Sequence, residues 1–292
     1  MKFPSGSGTT PNTSKSPTLS QLTFQNIREA IYRQTGIYYT DNKKNQLEQT
    51  IAKRLLRLNL ASFEKYLELI ESPAQKSLKS KEIFNAMAVQ DSSFFSSQEQ
   101  ITVVKDIVIP DILKKKQNNN LKLKIWSAAT STGEEAYSLA IVMLEYVLPK
   151  FSGLAFEIIA SDISQESLEV ARAGRYEQRS LSNLPQILIQ KYFSLKDGKY
   201  EINDDVKKLV SFSTVNVIDA EEMKSFKDID LAFCTNVLMF FDPPGKQKVI
   251  AHLYESLNRN GYLFIGYSES LHGVPKAFKL VHLPKAMAYK KE

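Results

Sequence analysis

Beyond roughly the first twenty residues, hydrophobic positions recur at helical spacing. Phe24, Ile27 and Ile31 share one face, and Leu47, Ile51, Leu55 and Leu58 repeat the pattern. Phe63, Tyr66, Leu67 and Ile70 mark another helix with Ser62 as its N-cap, and a further one is expected near Lys81–Val89. Residues 23–90 therefore read as a small all-helical domain. Residues 91–120 read as a linker with a connecting helix, Glu99–Leu113, which Pro110 bends or shortens before the charged, Asn-rich Lys114–Asn120.

From Leu121 the period changes to short apolar runs alternating with helices. Strands are expected at Leu121–Ala129, Phe156–Ser161, Val210–Asn216, Ile229–Thr235 and Gly261–Gly266, and helices at Glu134–Leu148, Gln165–Ala173 and Pro243–Leu257. Phe278–His282 and Ala286–Lys290 close the chain. This alternation predicts an α/β domain over 121–292: a mostly parallel, Rossmann-like sheet with helices on both faces. Tyr192–Val206 interrupts the rhythm with a hairpin pattern turning at Asp197-Gly198, a small β insert over about 191–208.

Composition changes this picture little. Hydrophobic content of 43% and charged content of 24% are those of a soluble globular protein. The single cysteine, Cys234, excludes an internal disulfide and fits a reducing compartment; within an apolar strand it reads as packing. Residues 1–22, rich in Ser, Thr, Pro and Gly, read as a disordered leader. No apolar run has the length of a membrane span, and the start lacks the order of a secretory signal. A net charge of +6 favours acidic partners weakly, and no nucleic-acid-binding signature accompanies it. His252, His272 and His282 stand apart with no metal-ligand cluster.

The chemistry concentrates where the apolar run ending at Ala128 passes through Thr132-Gly133 into a helix opening on Glu134 and Glu135. A glycine turn leaves backbone bare for a flat ligand, while two carboxylates in the first helical turn disfavour phosphate and favour a cation or a sugar diol. S-adenosylmethionine, with a sulfonium, an ammonium, ribose hydroxyls and no phosphate, meets that description. Asp162 ends the next strand, placed to accept both ribose hydroxyls; the alternative is an N-cap for the helix near Gln165. Asn216 and Asn236 also end strands, where their amides can reach the adenine edge or the methionyl end. Phe94-Phe95, closely flanked by polar residues, is expected as a lid over the ligand.

These residues carry a resemblance to the chemotaxis-receptor glutamate methyltransferases of the CheR type. It runs from about Phe24 to Tyr289, through Ile51–Arg57, Ser62–Leu67, Trp126–Ser138, Ser161–Ile163, Ala171–Tyr176, Cys234–Leu238 and Gly261–Leu271. The resemblance implies a class I methyltransferase domain with a β insert, an all-helical N-terminal domain, and S-adenosylmethionine as donor with S-adenosylhomocysteine as product. The cofactor-binding set expected from the combined reading is Ser92, Ala128, Thr132, Gly133, Glu134, Asp162, Asn216, Val217, Asn236 and Val237. The implied partners are cytoplasmic helices of chemoreceptors, with no nucleic acid and no membrane insertion, for a monomeric cytoplasmic chain. Lys53, Arg54 and Arg57 are the expected docking bases.

Three departures matter. The family's Asn-x-Thr-x-Phe-Phe-Arg is here Gln90–Ser96, so Ser96 replaces an arginine. Its Cys-Arg-Asn-Val-x-x-Tyr-Phe is Cys234–Phe241, so Thr235 replaces an arginine and Phe240 a tyrosine. No catalytic residue is assigned; Arg172 or Arg175 is a candidate substitute for the lost charge. The expected activity is glutamate O-methylation. Its alternatives are a weak or inactive donor-binding protein that docks on receptors, or a methyltransferase with another acceptor.

Overall fold

The computed structural model describes residues 18–72, 92–116, 121–271 and 278–292. The helix expected near Lys81–Val89 lies outside the described residues. The helical unit comprises α1 (Gln21–Thr35), α2 (Lys44–Leu58) and α3 (Phe63–Glu71). Their apolar faces meet in a core of their own around Phe24, Ile31, Ile51, Phe63 and Tyr66. The leader expected over residues 1–22 extends too far: Leu19 is buried, and the Ser20 hydroxyl caps α1 by accepting from the Thr23 amide. Ser62 caps α3 in the same way, accepting from Lys65 N.

The connecting helix α4 starts at Gln98–Val103, passes through a π-helical stretch at Val104–Val108 and continues over Ile109–Lys115. Pro110 therefore neither ends nor shortens it; the wider turn just ahead accommodates a residue without an N–H.

The main sheet contains β1 (Lys122–Ala128), β2 (Ala155–Asp162), β6 (Val210–Thr214), β7 (Ile229–Cys234), β8 (Leu257–Ile265), β9 (Lys279–Leu283) and β10 (Ala286–Lys290). Its order is β6-β2-β1-β7-β8-β10-β9, parallel from β6 to β8 and antiparallel at β10 and β9. The crossover helices include α5 (Glu134–Val142), α6 (Gln165–Ala173) and, before β8, α7 (Pro243–Ser256). One core packs α4 and α5 on one face of the sheet, and a second, holding Trp126 and α7, fills the other. β8 begins earlier than its apolar run, because Asn258–Gly261 forms a bulge against Ile229 and Leu231 before the alternation starts. At Gly261 a Cβ would lie 2.9–3.2 Å from three backbone carbonyl oxygens, so only glycine fits the bulge.

The expected insert is present as β4 (Phe193–Lys196) and β5 (Lys199–Ile202), joined at Asp197 and Gly198, both with positive φ. It recruits a third strand, β3 (Arg175–Tyr176), against β5.

Candidate active site

The carboxyl ends of β1, β2, β6 and β7 converge on one open cleft of about 1060 Å³. This is the edge at which parallel α/β sheets bind ligands. Three of its wall residues, Ala129, Ser131 and Asn236, hold left-handed backbone with φ of 53–60° although none is glycine. Such conformations persist only where surrounding contacts fix them, and they gather at functional sites.

The contacts that fix them are visible. The Asp162 carboxylate accepts from the Ser131 amide with one oxygen and from the Ser164 amide with the other, each at 2.8 Å. It thus ties the β1 turn to the β2 turn. Burial raises its carboxyl above the usual range, and backbone hydrogen bonds from Ser164, Ser131 and Ile163 pull the other way. The helix-cap alternative for Asp162 is excluded: Ser164 caps α6, accepting from Ser167 N. Behind the turn, Tyr176 donates to the Thr132 carbonyl oxygen at 2.9 Å, and Tyr137 to that of Ala171 at the same distance.

Gly133 has φ 92°, and a Cβ there would lie 2.8 Å from the Ala171 Cβ. The glycine therefore lets α6 pack against the turn; it does not clear a path for a ligand. Ala128, Thr132, Gly133 and Glu134 all lie off the cleft wall, whereas Ser92, Asp162, Asn216, Val217, Asn236 and Val237 form part of it. Glu134 is 3% exposed and accepts from the Thr132 hydroxyl. Its neighbour Glu135 faces the cleft instead, accepting from Ser127 Oγ and Thr235 Oγ1, both at 2.7 Å. Burial raises the Glu135 carboxyl, with the two hydroxyls opposing.

The substituted positions Ser96, Thr235 and Phe240 line this same cleft. Phe94 and Phe95 are not its lid: both are buried in the core, Phe94 edge-on to Tyr176 and Phe193 at 4.9 and 5.0 Å. They anchor a loop whose serines, Ser92, Ser93 and Ser96, reach the cleft. Arg172 and Arg175 do not replace the missing charge. Arg172 donates to the Phe212 carbonyl oxygen, Arg175 pairs with Asp197, and neither lines the cleft.

The helical unit closes one side, which the sequence reading missed. Thr35 and Ile37 form part of the wall. They are held there by the Ile37–Phe241 bridge, the Tyr38 N–H donating to the Phe240 carbonyl oxygen (2.8 Å), and Tyr32 Oη donating to Asp242 (2.9 Å). At Gly36, φ 73°, a Cβ would collide with Ile218 at 2.5 Å, so a glycine is needed at this junction as well as at the end of α1. Nothing local in Thr35-Gly-Ile37 beyond a helix stop betrays a contact 200 residues downstream.

Of the three expected docking bases, Lys53 and Arg57 are exposed. Arg54 is 7% exposed and turns inward, with Arg54 and Arg57 contacting Glu166 of α6 at 3.3 and 2.6 Å. Burial alone would raise the Glu166 carboxyl, but hydrogen bonds from the two arginines outweigh it and hold it low.

The wall residues fit S-adenosylmethionine. Two carboxylates and an apolar strip of Ile163, Val215 and Val217 face the space, with no Lys, Arg or His among the described residues that line it. The Thr130 hydroxyl, on the same wall, has no hydrogen-bond partner among the described residues, as a polar group awaiting a ligand would.

Comparison with known proteins agrees. Residues 22–87 match the all-alpha domain of CheR methyltransferases and residues 90–287 their SAM binding domain. Chemotaxis protein methyltransferase 2 of Vibrio cholerae is 31% identical, with 94% of each chain covered. The chemotaxis protein methyltransferase of Vibrio parahaemolyticus is 31% identical, over 94% of this chain and 98% of that one. Chemotaxis protein methyltransferase 2 of Pseudomonas aeruginosa is 31% identical over 85% and 86%. With both domains matched in order, and a cleft suited to the methyl donor at the strand tips, the chain belongs to the CheR methyltransferase family.

Proposed function

We propose that this chain transfers a methyl group from S-adenosylmethionine to glutamate side chains of chemotaxis receptors, forming methyl esters. One juxtaposition carries the reading. Asp162, Asn216, Asn236 and Glu135 stand on the same cleft wall as Ser96, Thr235 and Phe240, so donor-side and acceptor-side positions share one space. Bound S-adenosylmethionine supplies a methyl group on a positively charged sulfur. Asp162 keeps lone pairs free for the ribose hydroxyls, Val217 offers apolar surface to a flat base, and Glu135 offers negative charge to the donor's cationic groups. An acceptor glutamate is ionised at pH 7, so no cleft residue has to act as a base. The protein's task is alignment and charge balance. Lys53 presents positive charge on α2 to acidic receptor helices, while Arg54 and Arg57 are both held by Glu166.

A second reading is favoured by the absence of Lys, Arg and His from the cleft wall among the described residues. A missing guanidinium contact to the acceptor carboxylate removes about 2–4 kcal/mol of transition-state stabilisation, roughly a hundredfold in rate or more. On that reading the chain binds donor and receptor but transfers slowly, or takes another acceptor. Transfer of labelled methyl groups to receptor membranes decides between them. Base-labile label on receptor glutamates is expected; an unlabelled receptor under saturating donor would overturn the enzymatic reading.

A further inference from the structure

Asp162 joins the turn after β1 to the turn after β2. A second carboxylate, Glu269, does the same for β7 and β8, the next pair in the sheet, and it is not one of the cleft-wall residues. It lies in the turn that follows β8, where its own amide donates to the Gly266 carbonyl oxygen at 2.9 Å. One carboxylate oxygen accepts from the Asn236 amide, after β7, at 2.9 Å and from the Gly266 amide, after β8, at 2.8 Å. The other accepts from the Met239 amide at 3.2 Å. Gly266 gives this clasp its room: a Cβ there would lie 2.8 Å from Glu269 Oε2 and 2.5 Å from Asn236 Oδ1.

The segment held in this way carries much of the cleft wall. Thr235, Asn236, Val237 and Phe240 all line it. The Thr235 hydroxyl is tied to Glu135 at 2.7 Å, which fixes only the first of the four. Asn236 holds φ of 59°, a conformation that a non-glycine residue keeps only where its surroundings impose it. The Glu269 carboxylate, bonded to the amides of Asn236 and Met239, is what imposes it.

We infer that Glu269 is a positioning residue for the transfer site. Through backbone amides it sets Asn236 for the donor and Phe240 on the acceptor side, and it touches neither substrate itself. This rests on the reading of the cleft as a methyl-transfer site. A carboxylate suits the task because every one of its lone pairs accepts; a glutamine there turns an NH2 group towards at least one amide N–H. Small displacements of groups that align two substrates are costly, up to about a hundredfold in rate for 1 Å.

The test uses the full-length protein. Glu269→Gln is expected to weaken S-adenosylhomocysteine in calorimetric titration by about tenfold and to lower kcat on receptor membranes by about tenfold, with KM for receptor within about twofold. Asn236→Gly keeps the left-handed backbone and removes the side-chain amide. Because Glu269 acts through Asn236, adding Glu269→Gln to that variant should weaken the donor by less than about threefold more. Asp230→Asn is the control for stability. Asp230, 2% exposed, accepts from Lys124 N at 2.9 Å and from Asn258 Nδ2 at 2.8 Å, tying β1, β7 and β8 together at the end of the sheet away from the cleft. Its loss should lower Tm and leave donor affinity and kcat unchanged. If Glu269→Gln behaves as Asp230→Asn does, lowering Tm alone, or if its effect on donor affinity adds in full to that of Asn236→Gly, the inference is overturned. In a wild-type chain that transfers no methyl to receptor, coupling of Glu269 and Asn236 in donor binding would uphold the positioning role while the enzymatic reading falls.

Discussion

The two halves of the cleft are built differently. On the donor side, the carboxylate of Asp162 is held by amides of the turns it joins, and Tyr176 braces the Thr132 carbonyl from behind. On the acceptor side, Ser96, Thr235 and Phe240 present hydroxyls and a ring where the family's motifs carry two guanidinium groups and a phenol. The first half is pre-organised by its own backbone, so binding spends little on ordering it. The second presents no cation at those three positions, and its Thr235 hydroxyl donates to the Glu135 carboxylate. Donor binding and methyl transfer are therefore separable properties of this fold, and each substitution below should move one more than the other.

The largest effect is expected at Asp162. Asp162→Ala strands the Ser131 and Ser164 amides and removes the ribose acceptor, so donor affinity should fall by about a hundredfold or more, with a clear drop in Tm. Retained affinity would mean that the donor lies elsewhere in the cleft. Next comes the acceptor side. Ser96→Arg combined with Phe240→Tyr should raise methyl transfer by roughly tenfold or more while donor affinity stays nearly constant; an unchanged rate would show that neutrality there is not limiting. Gly133→Ala tests whether the donor turn is fixed from behind. Its strained φ and the 2.8 Å approach to Ala171 should cost about 1–3 kcal/mol in denaturant unfolding.

A smaller, pH-dependent effect separates Glu135 from its surroundings. Burial raises its carboxyl in the folded protein, against the hydroxyls of Ser127 and Thr235, with Asp162 on the same wall and the Cys234 thiol close enough to feel its charge. A raised folded-state value stabilises the protein at low pH, and that contribution is lost as pH rises through it. Glu135→Gln should therefore raise the Tm of the ligand-free protein at pH 8, with the gain vanishing near the unfolded carboxyl range, about pH 4. The same variant should bind the cationic donor more weakly. A Tm difference that does not vary with pH would contradict the assignment. The smallest effect is at the junction: Tyr32→Phe removes the hydroxyl bond to Asp242 and should lower unfolding free energy by about 0.5–1.5 kcal/mol.

What the sequence could reveal follows the same division. The βα rhythm, the Asp197-Gly198 hairpin, the bounds of α6 and β10 and the cap at Ser62 are local signals, and each appears where its pattern puts it. Facing directions were less legible. Glu134 and Glu135 are adjacent on a helix, about 100° apart, and the local pattern does not say which of them meets the cleft. Phe94-Phe95 carries no mark distinguishing a lid from an anchor, because the core that receives it comes from Tyr176 and Phe193. Gly133 carries the local pattern of a ligand-facing glycine, and only the packing of α6 against it gives it another role. Thr35 and Ile37 reach the cleft only because the helical unit folds back on Phe240 and Phe241, a contact of high sequence separation.

The central claim, a donor site built mainly by the strand tips, is tested most directly by calorimetric titration of the full chain with S-adenosylhomocysteine. One site per chain is expected, lost in Asp162→Ala and kept in the Ser96→Arg, Phe240→Tyr double variant. No heat in the wild-type chain at ligand concentrations on the order of 1 mM, or binding untouched by Asp162→Ala, would contradict the account.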